Sequence, residues 1–329
     1  MSWDTVKLGE LYTVHNGLSK GSKFFGIGYP FLTFSTVFNN YFIPPELDSF
    51  VQSSEAERQN YSIKRGDVFL TRTSETSDEL GMSCVALKDY PNATYNGFTK
   101  RMRPFTDRIL PEFIGYYMRM PSFRGEFLAF STMTTRASLK NEDLLGLQIR
   151  LPEKETQKRI ADILSAYDNL IENNQKQIKL LEEAVQRLYK EWFVNFRFPG
   201  YEDTPIVDGV PEGWERLPVG ELIEKIPRTT QIMASEYGKE GPIPIIDQSR
   251  EFIAGYTDNH ASLVNVGKPV IVFGDHTRIL KYIQFPFAKG ADGTQLIVSN
   301  TDRMPQSLFY SVLLELICQI IITLVILSI

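Results

Sequence analysis

Cysteine and histidine are scarce in this 329-residue sequence, which has two cysteines and three histidines. Neither Cys84 nor Cys318 has a second Cys or a His at metal-ligand spacing, which excludes a zinc site and a disulfide framework and favours a reducing compartment. The N-terminus, MSWDTVKLGE, lacks the basic and apolar stretches of a secretory signal peptide. These absences predict a cytoplasmic protein without a structural metal.

Motifs that carry catalysis are missing as well. The sequence contains no GxxxxGK[ST] loop, no HExxH and no GxSxG. The segment GDHTR at 274–278 offers an Asp-His pair after an apolar strand, but no nucleophile is beside it. We therefore predict neither an enzyme active site nor a cofactor in this chain.

Charge is low overall and uneven along the chain. The formal net charge of −5 argues against a protein that holds nucleic acid unaided. Residues 98–150, however, contain nine Lys or Arg against five Asp or Glu, whereas residues 194–225 contain three against seven. A locally basic segment in an acidic chain suits a DNA reader whose partners supply more positive surface. An ordinary solvated surface of mixed charge is the alternative.

The chain starts again two-thirds of the way along, because WDTVKLGEL at 3–11 recurs as WERLPVGEL at 214–222. Four further landmarks recur in the same order. They are GYPFL (28–32) and PIPII (242–246), IKRGDVFLTRTS (63–74) and VNVGKPVIVFGDHTR (264–278), TYNGFTK (94–100) and GADGTQL (290–296), and LPEFIGYYM (110–118) and MPQSLFYSV (304–312). We predict a duplicated domain of mixed α/β fold with many loops.

A long helix is predicted between the two copies, since residues 153–198 contain neither Gly nor Pro. Nine of ten positions at heptad a and d spacing are apolar or aromatic, which is typical of a coiled-coil seam that needs a partner helix. The exception, Asn174, either fixes the register with that partner or is a chance polar residue. The seam consists of Ile160, Leu164, Tyr167, Ile171, Asn174, Ile178, Leu181, Val185, Leu188 and Trp192.

These patterns divide the chain into five parts. They are a first domain at 1–152, a spacer helix at 153–196, a linker at 197–213, a second and incomplete domain at 214–313, and a hydrophobic tail at 314–329. Two similar modules held apart by a rigid helix suit a ligand with two separated sites. DNA is the natural candidate, because its half-sites recur on one face about every 34 Å.

Polar loops beside the predicted strands supply the candidate DNA contacts. Arg can read guanine, Gln can read adenine, and hydroxyl groups suit phosphates. The candidates in the first copy are Thr71, Arg72, Thr73, Ser74, Lys100, Arg101, Arg103, Thr134, Thr135, Arg136 and Lys140. Those in the second copy are Gln248, Ser249, Arg250, His276, Thr277, Arg278 and Lys281.

One stretch resembles a known family. TTRASLKNEDLLGLQIRLPEKETQKRIADILSAYD at 134–168 resembles the junction between a target recognition domain and a spacer helix in specificity subunits of type I restriction–modification systems. The shared pattern is T-x-R-x-[ST]-L, then L-x-I-x-L-P, then Q-K-R-I-A-x-I-L. VPEGWERLPVGEL at 210–222 resembles the family's entry into its second recognition domain.

The resemblance implies a function and a set of partners. Each recognition domain would read one half of a bipartite double-stranded DNA target, and the spacer helix would dock modification subunits. Those subunits methylate adenine N6 with S-adenosylmethionine, and restriction subunits that use ATP and Mg²⁺ join the same complex. Catalysis and its cofactors would then belong to the partners.

The second copy departs from the family pattern after Val312. LLELICQIIITLVILSI at 313–329 replaces the second junction and the second spacer helix. We expect a truncated or frameshifted gene, and an unpaired seam that pairs between two chains as a self-dimer. The alternative is a membrane-anchored coiled-coil interaction protein with no DNA role, since 17 of the 22 residues at 308–329 are apolar.

Overall fold

A computed structural model describes residues 3–74, 79–129, 137–138, 140–290, 292–319 and 323–327. The chain forms two compact units, Met1–Asn173 and Asn174–Ile329. Both units combine helices and sheets, as the sequence predicts, and one long helix runs from the first unit into the second.

Eleven strands and six helices begin within the described part of the first unit. The strands are β1 (Asp4–Lys7), β2 (Tyr12–Asn16), β3 (Phe25–Leu32), β4 (Phe50–Val51), β5 (Val68–Thr71), β6 (Thr73–Ser74), β7 (Ser83–Val85), β8 (Thr94–Tyr95), β9 (Thr99–Pro104), β10 (Ala137–Ser138) and β11 (Gln148–Leu151). The helices are α1 (Phe34–Asn39), α2 (Glu55–Asn60), α3 (Pro111–Tyr117), α4 (Pro121–Ala129), α5 (Asn141–Gly146) and α6 (Lys154–Tyr189).

The centre of the first unit is the antiparallel sheet β2-β9-β5-β7. Strand β5 is buried on both faces: Val68 and Leu70 belong to one hydrophobic cluster, whereas Phe69 belongs to another. Successive side chains of a strand point to opposite faces, so the apolar run VFLT places this sheet between two cores. A second sheet, β4-β3-β8, has β3 and β8 parallel.

The opening motif WDTVKLGEL forms the edge of the first unit. Strand β1 pairs antiparallel with β11, from Asp4 opposite Leu151 to Lys7 opposite Gln148. A 3₁₀ turn at Leu8–Glu10 follows, and Leu8 and Leu11 are completely buried. The motif therefore recurs because its apolar residues anchor the start of the domain in its core.

Eleven strands and one helix begin within the described part of the second unit. They are β12 (Ile206–Val207), β13 (Val210–Pro211), β14 (Trp214–Pro218), β15 (Ile243–Ile246), β16 (Gly255–Thr257), β17 (Leu263–Val264), β18 (Val270–Gly274), β19 (Leu280–Ile283), β20 (Phe287–Lys289), β21 (Thr294–Ile297), α7 (Gln306–Gln319) and β22 (Thr323–Leu327).

The sheets of the second unit repeat those of the first. The order β16-β15-β20, with β15 and β20 parallel, matches β4-β3-β8, and β19-β18-β21 matches β7-β5-β9. Gly66 before β5 and Gly267 before β18 both adopt a positive φ, of 90° and 74°, which glycine reaches without steric cost. The predicted duplication and mixed fold are thus confirmed in topology.

The hydrophobic tail takes part in the second unit. The sequence predicts divergence from residue 314, but the helix α7 continues to Gln319 and the strand β22 pairs antiparallel with β14. This strand occupies the position that β11 has beside β1. Strand pairing uses backbone groups and favours β-branched residues, so it does not require the L-x-I-x-L-P motif of the first copy.

The predicted linker contains a short antiparallel hairpin of β12 and β13. Trp214, where the second copy opens, is buried among the rings of Phe193, Phe196 and Phe198, with centroid distances of 5.0–5.8 Å. Its counterpart Trp3 is 39% exposed. The two copies therefore begin with the same motif in different surroundings.

Helix α6 is the predicted spacer helix, and a π-helical turn at Lys190–Val194 follows it. Its first turns pack on the first unit: Gln157 and Ala161 are buried, and Ile160 lies against the larger core. Most of the predicted seam beyond is exposed, by 39–66%, at Leu164, Tyr167, Ile171, Ile178, Leu181, Val185 and Leu188. Asn174 is also exposed, and Trp192 is half-buried.

None of the helices in the described ranges combines the length and the apolar character that crossing a membrane requires.

Candidate nucleic-acid interface

Three loops of the second unit meet around Gln248, which follows β15. The Gln248 Nε2 donates to the Asp292 carbonyl at 2.9 Å, and its Oε1 accepts from the His276 backbone N–H at 3.3 Å. The Thr277 hydroxyl donates to the Gln248 carbonyl at 2.7 Å. The structure thus brings together Gln248, His276 and Thr277, which the sequence predicts as DNA contacts. The Gln248 side chain connects the loops through its hydrogen bonds.

The turn before β21 packs closely under this cluster. A Cβ at Gly293 would lie 2.3 Å from the Asp275 Oδ1 and 2.6 Å from the Gln248 Nε2, and the residue has a φ of 80°. Only glycine fits such an approach without displacing its neighbours. The landmark GADGTQL therefore marks a packing requirement of the cluster.

The outer side of the cluster carries exposed polar groups. The His276 side chain is 78% exposed, and its Nε2 lies 3.6 Å from the Asp275 Oδ1. Arg278 is exposed and has a φ of 58°, a left-handed conformation that is uncommon for a residue with a side chain. Its N–H donates to the Gly274 carbonyl at 2.7 Å, which closes the turn. Arg250 is exposed as well.

Two other candidates of the second copy lie beneath the surface. Lys281 is 5% exposed, its Nζ donates to the Glu251 carbonyl at 2.5 Å and lies 3.8 Å from the Asp247 Oδ1. Burial lowers the pKa of Lys281, and the Asp247 carboxylate opposes that shift. The Ser249 hydroxyl is buried too. Lys281 therefore supports the loop from inside.

The three predicted contact segments of the first unit converge. Strands β6 and β10 pair antiparallel, with Ser74 opposite Ala137 and Thr73 opposite Ser138. The Lys100 ammonium group hydrogen-bonds to the Asn141 Oδ1 at the start of α5. Burial lowers the pKa of Lys100, and the charge of the half-buried Arg72 lowers it further.

Lys140, just before α5, is exposed. Thr134, Thr135 and Arg136 lie outside the described residues.

Two further candidates of the first copy lie inside the protein. The fully buried Thr71 hydroxyl donates to the Glu79 carbonyl and accepts from the Met82 N–H at 2.9 Å. The Arg101 Nη1 donates to the Ser62 carbonyl at 2.7 Å. This conformation therefore turns Thr71 and Arg101 away from any external ligand.

Arg103 holds a buried carboxylate. Its Nε and Nη2 donate to the two oxygens of Asp67 at 2.7 and 2.6 Å, and the Asp67 side chain has no exposed surface. These hydrogen bonds raise the pKa of Arg103. The pair connects β9 to the turn before β5, so Arg103 serves the fold in this structure.

Sequence reasoning missed Phe98, which is 63% exposed at the turn before β9. Its carbonyl accepts from the Arg72 N–H at 2.8 Å, just as the Gly293 carbonyl accepts from the Asp275 N–H at 2.9 Å. Phe98 therefore occupies the place of Gly293. Matching the two turns by their glycines shifts this correspondence by one residue, which is why the sequence did not single it out.

No three His, Cys, Asp or Glu side chains in the described ranges lie together as metal ligands. Both clusters consist of hydrogen-bond donors and acceptors on loops, a composition that suits contact with a polar macromolecule.

Fold and clusters together define a duplicated α/β protein in which each copy presents a polar loop cluster between equivalent strands. The sequence model for the type I restriction modification DNA specificity domain matches residues 1–183, more than half of the chain. The chain belongs to this family.

The chain is also similar to specificity subunits of type I restriction enzymes. The chain is 24% identical over 273 residues to the type I restriction enzyme MjaIX specificity subunit of Methanocaldococcus jannaschii, covering 80% of this chain and 61% of that protein. It is 27% identical over 200 residues to the HindI specificity subunit of Haemophilus influenzae, covering 59% and 41%. The chain thus spans about 60% of the length of MjaIX and of a second M. jannaschii specificity subunit, MjaX.

A solved structure shares the fold. The S subunit of a type I restriction–modification system from M. genitalium superposes with a TM-score of 0.62 at 13% sequence identity, over 99% of this chain and 85% of that one.

Proposed function

We propose that this chain is the DNA-recognition subunit of a type I restriction–modification complex, in which each copy contacts one half of a bipartite target. The observation that carries the proposal is the placement of polar loop clusters between topologically equivalent strands in both units. Membership of the specificity-domain family and the similarity to specificity subunits of type I restriction enzymes support it.

In the second cluster, some residues would contact the DNA bases and others would hold the loops in position. Arg278 and His276 are exposed and reach outward from a closed turn, so they are the groups that meet the DNA. An arginine can donate two hydrogen bonds to guanine O6 and N7, and each such pair contributes about 1–3 kcal/mol of discrimination between bases. Gln248 holds the loops in place and contributes through them.

The first cluster places cations around the paired strands β6 and β10. Arg72 and Lys140 reach solvent, whereas Lys100 is tied to Asn141 and supports the cluster. Contacts of Arg and Lys with phosphates fix the register of a protein on the duplex. Arg72 and Lys140 therefore suit positioning of the first unit on its half-site.

Partners supply the chemistry in this proposal. Modification subunits methylate adenine N6 with S-adenosylmethionine, and restriction subunits act with ATP and Mg²⁺, all in the cytoplasm. The exposed seam of α6 offers a docking face, since it presents apolar side chains at heptad spacing from Leu164 to Leu188, about seven helical turns. This chain then contributes recognition and assembly without a catalytic group.

The test combines the full chain with its modification subunit on random-sequence plasmid DNA and S-adenosylmethionine. Sequencing of the methylated adenines should reveal one bipartite motif. Methylation without sequence preference, with both subunits demonstrably bound, would contradict the proposal.

Variants assign the halves of the motif. The double variant His276→Ala/Arg278→Ala should relax the sequence of one half-site and leave the other unchanged, because each unit reads its own half. Arg216→Ala is the matched control, since Arg216 is an exposed arginine of β14, outside the cluster. Relaxation of both halves, or an equal effect of the control, would show that the cluster is not the reading element.

A further inference from the structure

Phe98 is an aromatic side chain presented to solvent on a fixed turn. It is 63% exposed, one of the largest exposed fractions among the apolar residues of the described chain. A single exposed apolar residue is common on protein surfaces, so its exposure alone has no functional meaning. Phe98 differs from other exposed apolar residues in the hydrogen bonds that hold its turn and in the polar residues around it.

The turn that carries Phe98 is rigidly held. The Asn96 Oδ1 accepts from the Phe98 N–H at 2.7 Å, and the Phe98 carbonyl accepts from the Arg72 N–H at 2.8 Å. Gly97 packs against Ser19 so closely that a Cβ would lie 2.2 Å from the Ser19 hydroxyl oxygen. Both backbone groups of Phe98 are therefore held by hydrogen bonds, which set the direction of its Cα–Cβ bond.

The neighbours of Phe98 belong to the first polar cluster, in which Arg72 is a proposed DNA contact and Lys100 a supporting residue. Arg72 bonds to it directly, and Lys100 follows two residues later in β9. The equivalent position in the second unit is Gly293, which is covered by Asp275, Gln248 and His276. The first unit thus presents an apolar group where the second presents none.

We infer that Phe98 is a specificity-determining residue that contacts the C5-methyl group of a thymine in the half-site of the first unit. This inference rests on the proposed function and adds a chemical basis for base choice. The thymine methyl is the apolar feature of the major groove, and a phenylalanine side chain is one of the groups that recognise it. Insertion of the ring between base pairs is the competing mode of contact, and it would kink the duplex.

The test measures binding of the complex of full chain and modification subunit to its selected target and to targets in which deoxyuridine replaces each thymine in turn. Deoxyuridine lacks only the C5-methyl group. For the wild type, one replacement in the half-site of the first unit should weaken binding about fourfold, the effect of burying one methyl group. Phe98→Ser should bind the thymine and deoxyuridine targets equally.

Further variants separate structure from readout. Phe98→Leu keeps an apolar group and should retain part of the discrimination. Phe105→Ser is the matched control, because Phe105 is 60% exposed and lies just beyond the other end of β9; it should discriminate like the wild type. Circular dichroism verifies that all variants fold alike.

Several results would overturn the inference. One is equal discrimination between thymine and deoxyuridine by the wild type and Phe98→Ser. Another is a half-site in which no thymine methyl affects binding. A third is a loss of affinity in Phe98→Ser that is independent of the methyl group and accompanied by loss of DNA bending. A wild-type complex without any sequence preference would instead refute the proposed function.

Discussion

The Asp67–Arg103 pair illustrates at the level of single residues how this sequence uses charge. The carboxylate is buried, and both of its oxygens accept from one guanidinium group. Asp67 also accepts from the Lys64 N–H at 2.8 Å, which closes the turn at Gly66. The pair therefore fixes the turn and the sheet in one arrangement.

Removing one partner should be strongly destabilising. Asp67→Ala leaves the Arg103 guanidinium without its carboxylate in a partly buried place, so we expect the free energy of unfolding of the first unit to fall by about 3–5 kcal/mol. Urea denaturation measures the change. Lys154→Ala is the control, because it removes an ion pair with Asp107 of the same 2.6 Å length on the surface, where water screens the charges. A similar loss in both variants would contradict the distinction.

Residue-level prediction from sequence reached its limit in the strand TKRMRP. Its first four residues are buried, including Lys100 and Arg101, although three basic residues in six indicate a surface. The cations are satisfied by carbonyl and carboxylate groups of distant segments, such as Ser62 and Asp67. Contacts of this kind leave no local pattern. The sequence therefore predicts basic residues near the proposed interface, but it does not separate the exposed ones from those that are buried and support the fold.

The start of helix α6 depends on one side chain. Gln157, 1% exposed, accepts from the Leu110 N–H at 2.8 Å and donates to the carbonyls of Arg108 and Pro152 at 2.9 and 2.8 Å. An amide can both donate and accept, so it satisfies three backbone groups at once. This explains why glutamine begins the Q-K-R-I-A pattern after L-P.

Gln157→Leu should detach the helix from the first unit. It leaves one N–H and two carbonyls without partners in a buried place, so we expect a loss of about 2–4 kcal/mol in the free energy of unfolding. Gln157→Glu should also destabilise, because a carboxylate cannot donate to the two carbonyls. Gln175→Leu, at an exposed position of the same helix, should leave stability unchanged. Chemical denaturation compares them, and an equal effect of both leucine variants would refute the role of Gln157.

Elements were predicted best where the pattern was long. The spacer helix followed from its heptads, and the structure places it at Lys154–Tyr189, with the π turn as an unpredicted ending. The strand β22 was not predicted, because the tail TLVIL shares no motif with β11. Many different sequences can form backbone hydrogen bonds with β14, so a comparison of sequence motifs does not detect this strand.

For the whole molecule, the exposed seam of α6 is the feature that demands a partner. Apolar side chains at Leu164, Ile171 and Ile178 lie on one face and are 39–57% exposed. Such a face is stabilised when a second helix covers it. Modification subunits and a second copy of this chain are the two occupants that the proposal provides.

Two charges in the seam should abolish this association. Ile171→Lys/Ile178→Lys should prevent co-purification with modification subunits and reduce any dimer to monomer in light scattering, because each lysine would bury an unpaired charge. Asn169→Lys/Asn173→Lys adds the same charges outside the seam and should associate normally. If the seam variant associates as well as this control, the docking face lies elsewhere.

The duplication was visible in sequence through five landmarks, and the strand orders of the two units agree with it. The arrangement within the clusters was not visible in the sequence. The equivalence of Phe98 and Gly293, for example, follows from the hydrogen bonds that their carbonyls accept from Arg72 and Asp275. Spatial closeness of three loops around Gln248 also depends on the parallel pairing of β15 and β20. The sequence could therefore predict the duplicated architecture, but not which cluster residues are exposed and which support the loops.

The pairing of β1 with β11 has a further consequence. Asp4 lies opposite Leu151, so the first strand of the unit lies beside the last strand before α6, with almost 150 residues enclosed between the two. Strand β11 leads directly into α6, and within the interval the backbone groups of Arg108 and Leu110 hold the Gln157 side chain of that helix. Under the proposed function, replacing this interval while keeping β1, β11 and the contacts of Gln157 would change the half-site that the first unit contacts and leave the docking face of α6 unchanged.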